Sequence, residues 1–291
     1  MTTYPQNNRT TGIRAPGRGF SSAALRFTGS VDDLVAELKP VQPLYVLRPE
    51  QLARTAREFT ALFPGDVMYA VKCNPEKIVL QTLYKNGVKS FDVASIEEVR
   101  LVSKVAPKAK LYFMHPVKAP EAIREAYAVH GVRAFVLDTQ EELYKILQET
   151  DLAPDLELFV RLALPKNNEA LTDFSSKFGV LPEGATLLLQ QCRPVAARLG
   201  VCFHVGTQST NPDVYARAIN MAADVIMKSG VKVDVLDVGG GFPVMYPGME
   251  HPPLARYMKS IAEAMKHCGL QGLPLLCEPG RALVAAPVSL V

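Results

Sequence analysis

From Val67 onward, eight short runs rich in β-branched and aromatic residues alternate with amphipathic stretches long enough to be helices, and this alternation leaves few folds open. The runs are VMYAV (67–71), KSFDVA (89–94), KLYFMH (110–115), RAFVLD (133–138), LELFVRL (156–162), RLGVCFHV (198–205), VDVLDV (233–238) and PLLCE (274–278). Strands that alternate with helices pair in parallel through crossover connections. Eight of them close a (β/α)8 TIM-like barrel. At 291 residues and 48% hydrophobic content, the chain can bury the large core such a barrel needs.

Local signals place the helices between the runs. PEKIVLQTLYKNG has Pro75 near its start and ends at Gly87. SIEEVRLVSKV follows Ser95, an N-cap with acidic Glu98 three positions on, and TQEELYKILQET pairs Thr139 as cap with Glu142 as capping-box partner. NPDVYARAINMAADVIMKSG closes on Gly230. Ahead of the first barrel strand, PLYVL (43–47) and the helical pattern PEQLARTAREFTALF either cap the barrel or start a second domain. Residues 1–33 read as a flexible N-terminal extension and 34–291 as the barrel domain. Arg9, Arg14, Arg18 and Arg26 with no acidic residue over positions 1–31 keep organellar targeting open as a second reading of the extension.

Bulk properties exclude several classes. A net charge of +3, with both signs interspersed, gives no drive toward nucleic acid. Cys73, Cys192, Cys202, Cys268 and Cys277 form no C-x-x-C pair, so neither a disulfide framework nor a metal site is expected. No apolar run approaches the roughly 18 residues of a membrane span, so the expected location is the cytoplasm.

The carboxyl ends of barrel strands meet at one mouth, and chemistry gathers there. In this chain those ends carry Lys72, Asp92, His115, Asp138, Arg161, His204, Asp237 and Glu278, with Gly239, Gly240, Gly241 and Arg281 just beyond. A single polar strand end is usually just a solvated exit from the core. Eight titratable ends that can pair favour a site. Lys72 follows an apolar strand, where desolvation would lower its pKa toward that of a usable nucleophile; a surface or salt-bridged lysine is the plainer reading. The glycines of DVGGGFP free successive backbone N–H groups to approach an anion such as a phosphate, or else form an empty tight turn. Arg281 in EPGR matches phosphate geometry and would otherwise be a structural ion pair. Glu278 ends a fully apolar strand and needs a cationic or hydrogen-bonding partner, such as a protonated pyridine nitrogen. His204 in FHVGTQ stacks on a flat ring, transfers protons, or is simply a satisfied polar residue.

Taken in order, YAVKCNP, FDVAS, SKFG, FHVGTQ, DVGGGFP and CEPGR resemble the fold-type III pyridoxal 5′-phosphate (PLP)-dependent amino-acid decarboxylases over residues 45 to 284. The wording of YAVKCNP and FDVAS is most similar to the ornithine decarboxylase branch, some members of which also take lysine. The resemblance implies an alanine-racemase-like barrel with PLP held as a Schiff base on Lys72, Glu278 on the pyridine nitrogen and His204 on the ring face. Asp92, Glu98, Arg161 and Thr207 also match family active-site positions, and Gly239, Gly240, Gly241 and Arg281 match the phosphate cradle. The implied reaction releases CO2 from a basic amino acid, ornithine first, to leave a diamine. Lysine, arginine, diaminopimelate or a carboxylated polyamine are alternative substrates. Homodimerisation is implied for the full-length parent.

The pattern departs at its end. Val291 follows EPGR by about ten residues, whereas the family continues into a β-sandwich domain that supplies groups for the distal amine and for the partner's site. The C-terminal β-domain is thus expected to be absent or barely begun, in a fragment or in a natural short form with little or no turnover. Exposed apolar surface and abnormal association are expected where that domain would pack. The competing readings are a PLP-binding barrel without decarboxylase activity, an amino-acid racemase of the same fold, and a non-catalytic imitator. The last would have damaged cofactor residues, and these are intact.

Overall fold

The computed structural model describes residues 10–14, 25–166 and 177–291. The chain runs β1 (Thr10–Arg14), β2 (Leu25–Thr28), α1 (Val31–Leu38), β3 (Tyr45–Leu47), α2 (Pro49–Leu62), β4 (Asp66–Ala70), α3 (Lys77–Lys85), β5 (Ser90–Val93), α4 (Ile96–Val105), β6 (Lys110–Phe113), α5 (Pro120–Ala128) and β7 (Ala134–Leu137). It continues through α6 (Gln140–Glu149), β8 (Glu157–Arg161), α7 (Pro182–Cys192), β9 (Arg198–Cys202), α8 (Asp213–Ser229), β10 (Val235–Asp237), α9 (Leu254–His267), β11 (Leu275–Cys277), α10 (Arg281–Val284) and β12 (Val288–Leu290).

All eight runs become strands. They pair in parallel in the order β10-β11-β4-β5-β6-β7-β8-β9, and β9 returns to β10 to close the barrel. Side chains alternate between the two faces of each strand, which separates two apolar populations. Met68, Tyr112, Met114, Ala134, Val136, Phe159, Cys202, Val235 and Leu276 fill the interior, with the Tyr112 and Phe159 rings edge to face at 5.8 Å. Opposite-facing residues such as Tyr69, Phe91 and Phe135 pack against the helices. Gly200 makes the interior possible beside Phe159, because a Cβ there would come within 2.4 Å of the ring.

Several strands are shorter than the apolar runs suggest. The ladder ends at Phe113, Cys202 and Cys277, so His115, His204 and Glu278 sit on the segments that turn out of the barrel and reach the mouth. Thr139 caps α6 as expected, its side chain accepting from Glu142 N–H at 3.1 Å. Glu142 does not complete a capping box. Its carboxylate is instead held by Lys118 at 2.9 Å and Lys145 at 2.5 Å, because a buried ion pair holds it more strongly than one exposed backbone N–H.

A second sheet, antiparallel with the order β12-β3-β1-β2, stands apart from the barrel. PLYVL therefore contributes to this small sheet and not to the barrel. Within the stretch expected as a flexible extension, β1 and β2 lie in residues 10–28, and α1 crosses the 33/34 boundary with a full capping box from Ser30 and Asp33. Positions 1–9 and 15–24, which hold Arg9 and Arg18, lie outside the described residues. Val46 faces inward with Leu34 and Leu44, while Tyr45 and its register partner Leu290 point outward, 64% and 59% exposed. That exposed apolar pair, at the β12 side of the sheet, is where association is expected. Tyr45→Thr with Leu290→Thr is expected to shift concentrated protein toward a smaller apparent mass in size-exclusion chromatography; an unchanged elution position would exclude this edge as the contact.

Candidate active site

The barrel mouth brings most of the strand-end residues together. Lys72 lies in a one-turn 3-10 segment, Val71–Cys73, directly after β4. The register of β4 with β5 places Ala70 opposite Asp92, and the Lys72 Nζ donates to Asp92 Oδ2 at 2.9 Å. Asp92 is buried and its Oδ1 has no hydrogen-bond partner. Burial alone would lower the Lys72 pKa, but the nearby carboxylates Asp92 and Glu278 outweigh it and hold the amine well above the usual lysine value. The expectation of a desolvated, easily deprotonated lysine is thus overturned. Charge pairing beats desolvation here because the half-exposed side chain keeps contact with water while its head meets an anion. Asp92→Asn is expected to move the Lys72 titration to lower pH, read by NMR of the methyl-labelled amine. No change would show that Asp92 is not the group that holds the proton there.

Three acids lie behind or beside the lysine. Burial pushes the Glu278 carboxyl well above the usual range, and Asp237 and Asp92 push it further. Burial likewise raises Asp237 to about 6. Its Oδ1 accepts from Gly239 N–H at 2.9 Å, and its Oδ2 meets no N–H or hydroxyl donor. Glu98 accepts from Ala94 N–H at 2.7 Å and is raised mainly by burial.

His204 is held neutral: burial pushes its pKa well down, and the Arg161 and Lys72 cations add to this. Nδ1 accepts from Gly206 N–H at 3.1 Å, which assigns the ring proton to Nε2. Nε2 faces the glycine strip, since a Cβ added at Gly240 would come 3.1 Å from it and 2.6 Å from Glu278 O. Gly239 and Gly241 have φ of 70° and 96°, and added Cβ atoms would meet Phe203 O at 2.1 Å and Gly206 O at 2.3 Å. Only glycine fits this turn. Tyr215 donates to Gly240 O at 2.8 Å and fixes the strip from α8. Arg281 starts α10 with its guanidinium 5.8 Å from the Tyr246 ring. Thr207 follows β9 in the loop between Gly206 and Gln208, whose φ of 54° marks a tight turn.

Two strand-end residues do other work. Asp138 accepts from Gly179 N–H at 2.8 Å and anchors the segment after position 176, while His115 sits edge-on to Phe178 at 5.3 Å. The Arg161 guanidinium covers the other part of that ring at 5.2 Å. Sequence reasoning missed Phe178 as a wall of the site, although it stands in the SKFG motif. Ser176 of that motif lies outside the described residues. Asp237 counts among the titratable strand ends but takes no role from the sequence, because its pairing with interior residues of β9 and β11 shows only in the folded chain. No helix among the described residues is long and apolar enough to cross a membrane.

A family model described as the pyridoxal-binding domain of pyridoxal-dependent decarboxylases matches residues 49–285. A lysine/ornithine decarboxylase of Selenomonas ruminantium is 31% identical over 263 residues, covering 89% of this chain and 63% of that protein. Ornithine decarboxylase of Mus musculus is 30% identical over 236 residues, covering 76% of this chain and 48% of that protein. The crystal structure of the Paramecium bursaria Chlorella virus arginine decarboxylase superposes with a TM-score of 0.77 at 27% identity, covering 89% of this chain and 70% of that one. The chain thus spans between about half and two thirds of the length of these curated relatives.

Proposed function

We propose, on the premise that the chain belongs to the pyridoxal-dependent decarboxylases, that its barrel mouth binds PLP and that the protein decarboxylates a basic amino acid, L-ornithine first, to putrescine and CO2. One observation carries this reading. Lys72, after β4, and the buried carboxyl of Glu278, after β11, face one space from adjacent strands, with three glycines at its rim.

The residues present fit the cofactor. Asp92 Oδ1, on the carboxyl that meets Lys72, is a buried acceptor without a partner, and the glycine strip leaves backbone where any side chain would intrude. In this assignment Lys72 attaches the cofactor covalently, Glu278 faces the ring nitrogen, and the neutral His204 lies against the ring. The backbone N–H groups of Gly239, Gly240 and Gly241, with Arg281, take the phosphate. Asp92, Arg161 and Thr207 complete the lining, and Glu98 braces the turn after β5. When bound, PLP supplies an electron sink for the pair left as CO2 departs. The protein's own part is to exclude water, orient the carboxylate, and move a proton through the Lys72 Nζ. Asp92 favours the charged form of the free amine, so Lys72 must give up that proton before it can attach the cofactor.

Ornithine is placed ahead of lysine and arginine on the wording of YAVKCNP and FDVAS, and decarboxylases of all three occur among the similar proteins. The test is CO2 release from ornithine, lysine, arginine and diaminopimelate by the PLP-loaded chain, with borohydride reduction and peptide mapping of the labelled residue. Preferred release from ornithine and label on Lys72 supports the proposal. Label on Lys72 with no release from any substrate would leave a PLP-binding barrel without decarboxylase activity. Label elsewhere would overturn the site.

A further inference from the structure

We propose that Asp237 is a positioning residue that shares one buried proton with Glu278 and so sets the charge Glu278 presents to a ring nitrogen. The proposal rests on the preceding reading in which Glu278 faces that nitrogen.

Strand geometry carries it. Asp237 pairs in register with Leu276 on β11 and Cys202 on β9, both interior residues. Side chains alternate along a strand, so Glu278, two residues beyond Leu276, shares that inner face one layer nearer the mouth. The two acids also meet through the backbone, since Gly239 N–H binds Asp237 Oδ1 and Gly239 O accepts from Glu278 N–H at 2.8 Å. Asp237 is fully buried, and the oxygen left over, Oδ2, meets no N–H or hydroxyl donor, which leaves the Glu278 carboxyl as the side-chain hydrogen-bonding neighbour of Asp237.

The groups around this pair do not supply enough positive charge for both acids to ionise. From β9 come the Cys202 thiol and the neutral His204, and from β11 the Cys277 thiol beside Glu278. Arg161 arrives from β8, Asp92 from β5 and Lys72 from the end of β4. Three carboxyls, Asp92, Asp237 and Glu278, thus face two cations, Lys72 and Arg161, and Lys72 is already tied to Asp92. A third buried negative charge is costly, whereas one proton held between the two remaining acids makes the group neutral. Buried neighbouring acids titrate as a pair, so the proton belongs to both. A ring nitrogen placed at Glu278 then finds a proton already stored beneath it.

The experiment reads carboxyl protonation in the cofactor-free chain, using isotope-edited infrared spectroscopy with 13C-labelled Asp and Glu. In a Glu98→Gln background, which removes the other carboxyl that burial raises, a carboxylic-acid signal is expected to persist above about pH 5, where ordinary carboxyls have ionised. Asp237→Asn, which keeps an acceptor for Gly239 N–H, is expected to remove that signal and to move the Glu278 midpoint down by at least about one pH unit. Glu278→Gln is expected to remove the same signal, which keeps the test decisive should Asp237→Asn fail to fold. Absence of a protonated carboxyl above about pH 5, or its survival in either folded variant, overturns the shared proton. Cofactor binding is measured separately. A native chain that shows the shared signal but takes up no PLP would sink the cofactor reading and leave the proton pair standing.

Discussion

Replacing Lys72 with alanine is expected to leave a folded barrel on which borohydride fixes no PLP, and to cut any decarboxylase turnover by more than about 10²-fold, the effect of losing a positioned proton-transfer group. The fold survives because its core is the eight-strand interior and the outer helix layer, and Lys72 contributes to neither. A penalty remains. The Asp92 carboxylate loses the cation 2.9 Å away while its other oxygen is already without a partner, which costs about 1–3 kcal/mol, at the low end because Lys72 is half exposed. Lys72→Arg separates the two effects. It restores a cation beside Asp92 but offers no amine that deprotonates, so stability is expected to recover while covalent fixation does not. Chemical denaturation and mass spectrometry of the reduced protein read the two outcomes. PLP fixed as well in Lys72→Ala as in the native chain would remove Lys72 from the reaction.

Lys118 is expected to give the largest stability effect of any single charged residue. Its side chain is fully buried, and Nζ reaches Glu142 at 2.9 Å, Val136 O at 2.6 Å and His115 O at 3.0 Å. Lys118→Met strands two carbonyls and half of the Glu142 carboxylate, and the expected loss is about 3–5 kcal/mol. The pH dependence has a definite sign. Burial pushes Lys118 down to about 8 from the ordinary 10.5, with Glu142 opposing. Between those values the folded chain releases a proton that the unfolded chain still binds, so native stability rises with pH across the window and is flat below about 8. Lys118→Met lacks this gain. The stability difference between native and variant is therefore expected to widen from about pH 8 to 10.5, by at most about 1.4 kcal/mol per pH unit. A difference that stays level over that range would mean the fold holds Lys118 charged.

The sequence made the barrel and most of its mouth legible because both rest on short-range pattern. Period-two apolar runs mark strands, and the polar residue that ends each run is the one that leaves the core at the mouth; Lys72, Asp92, His204, Glu278 and the three glycines were readable on that basis. What depended on register was hidden. Asp92 stands twenty positions from Lys72, and only the β4–β5 pairing puts its carboxylate on the amine and reverses the expected pKa. Glu142 satisfied a local capping rule, but Lys118, twenty-four positions earlier, drew its side chain away. β1 was illegible for the same reason: its neighbour β3 is edged by β12 from the far end of the chain.

Barrel closure has a consequence for how the protein is made. β4 pairs with β5 close by in the chain, but its other neighbour is β11, with Leu276 opposite Asp66. During synthesis from the N-terminus, Lys72 can therefore meet Asp92 early, while Glu278 and the glycine strip arrive only with the last barrel strands. Until then the nascent chain offers an aldehyde a lysine but no counterpart for ring or phosphate, and β4 keeps a bare edge open to wrong partners. On the proposed reading, tight cofactor capture is thus a late event that reports a finished barrel, and bound PLP would stabilise the completed fold.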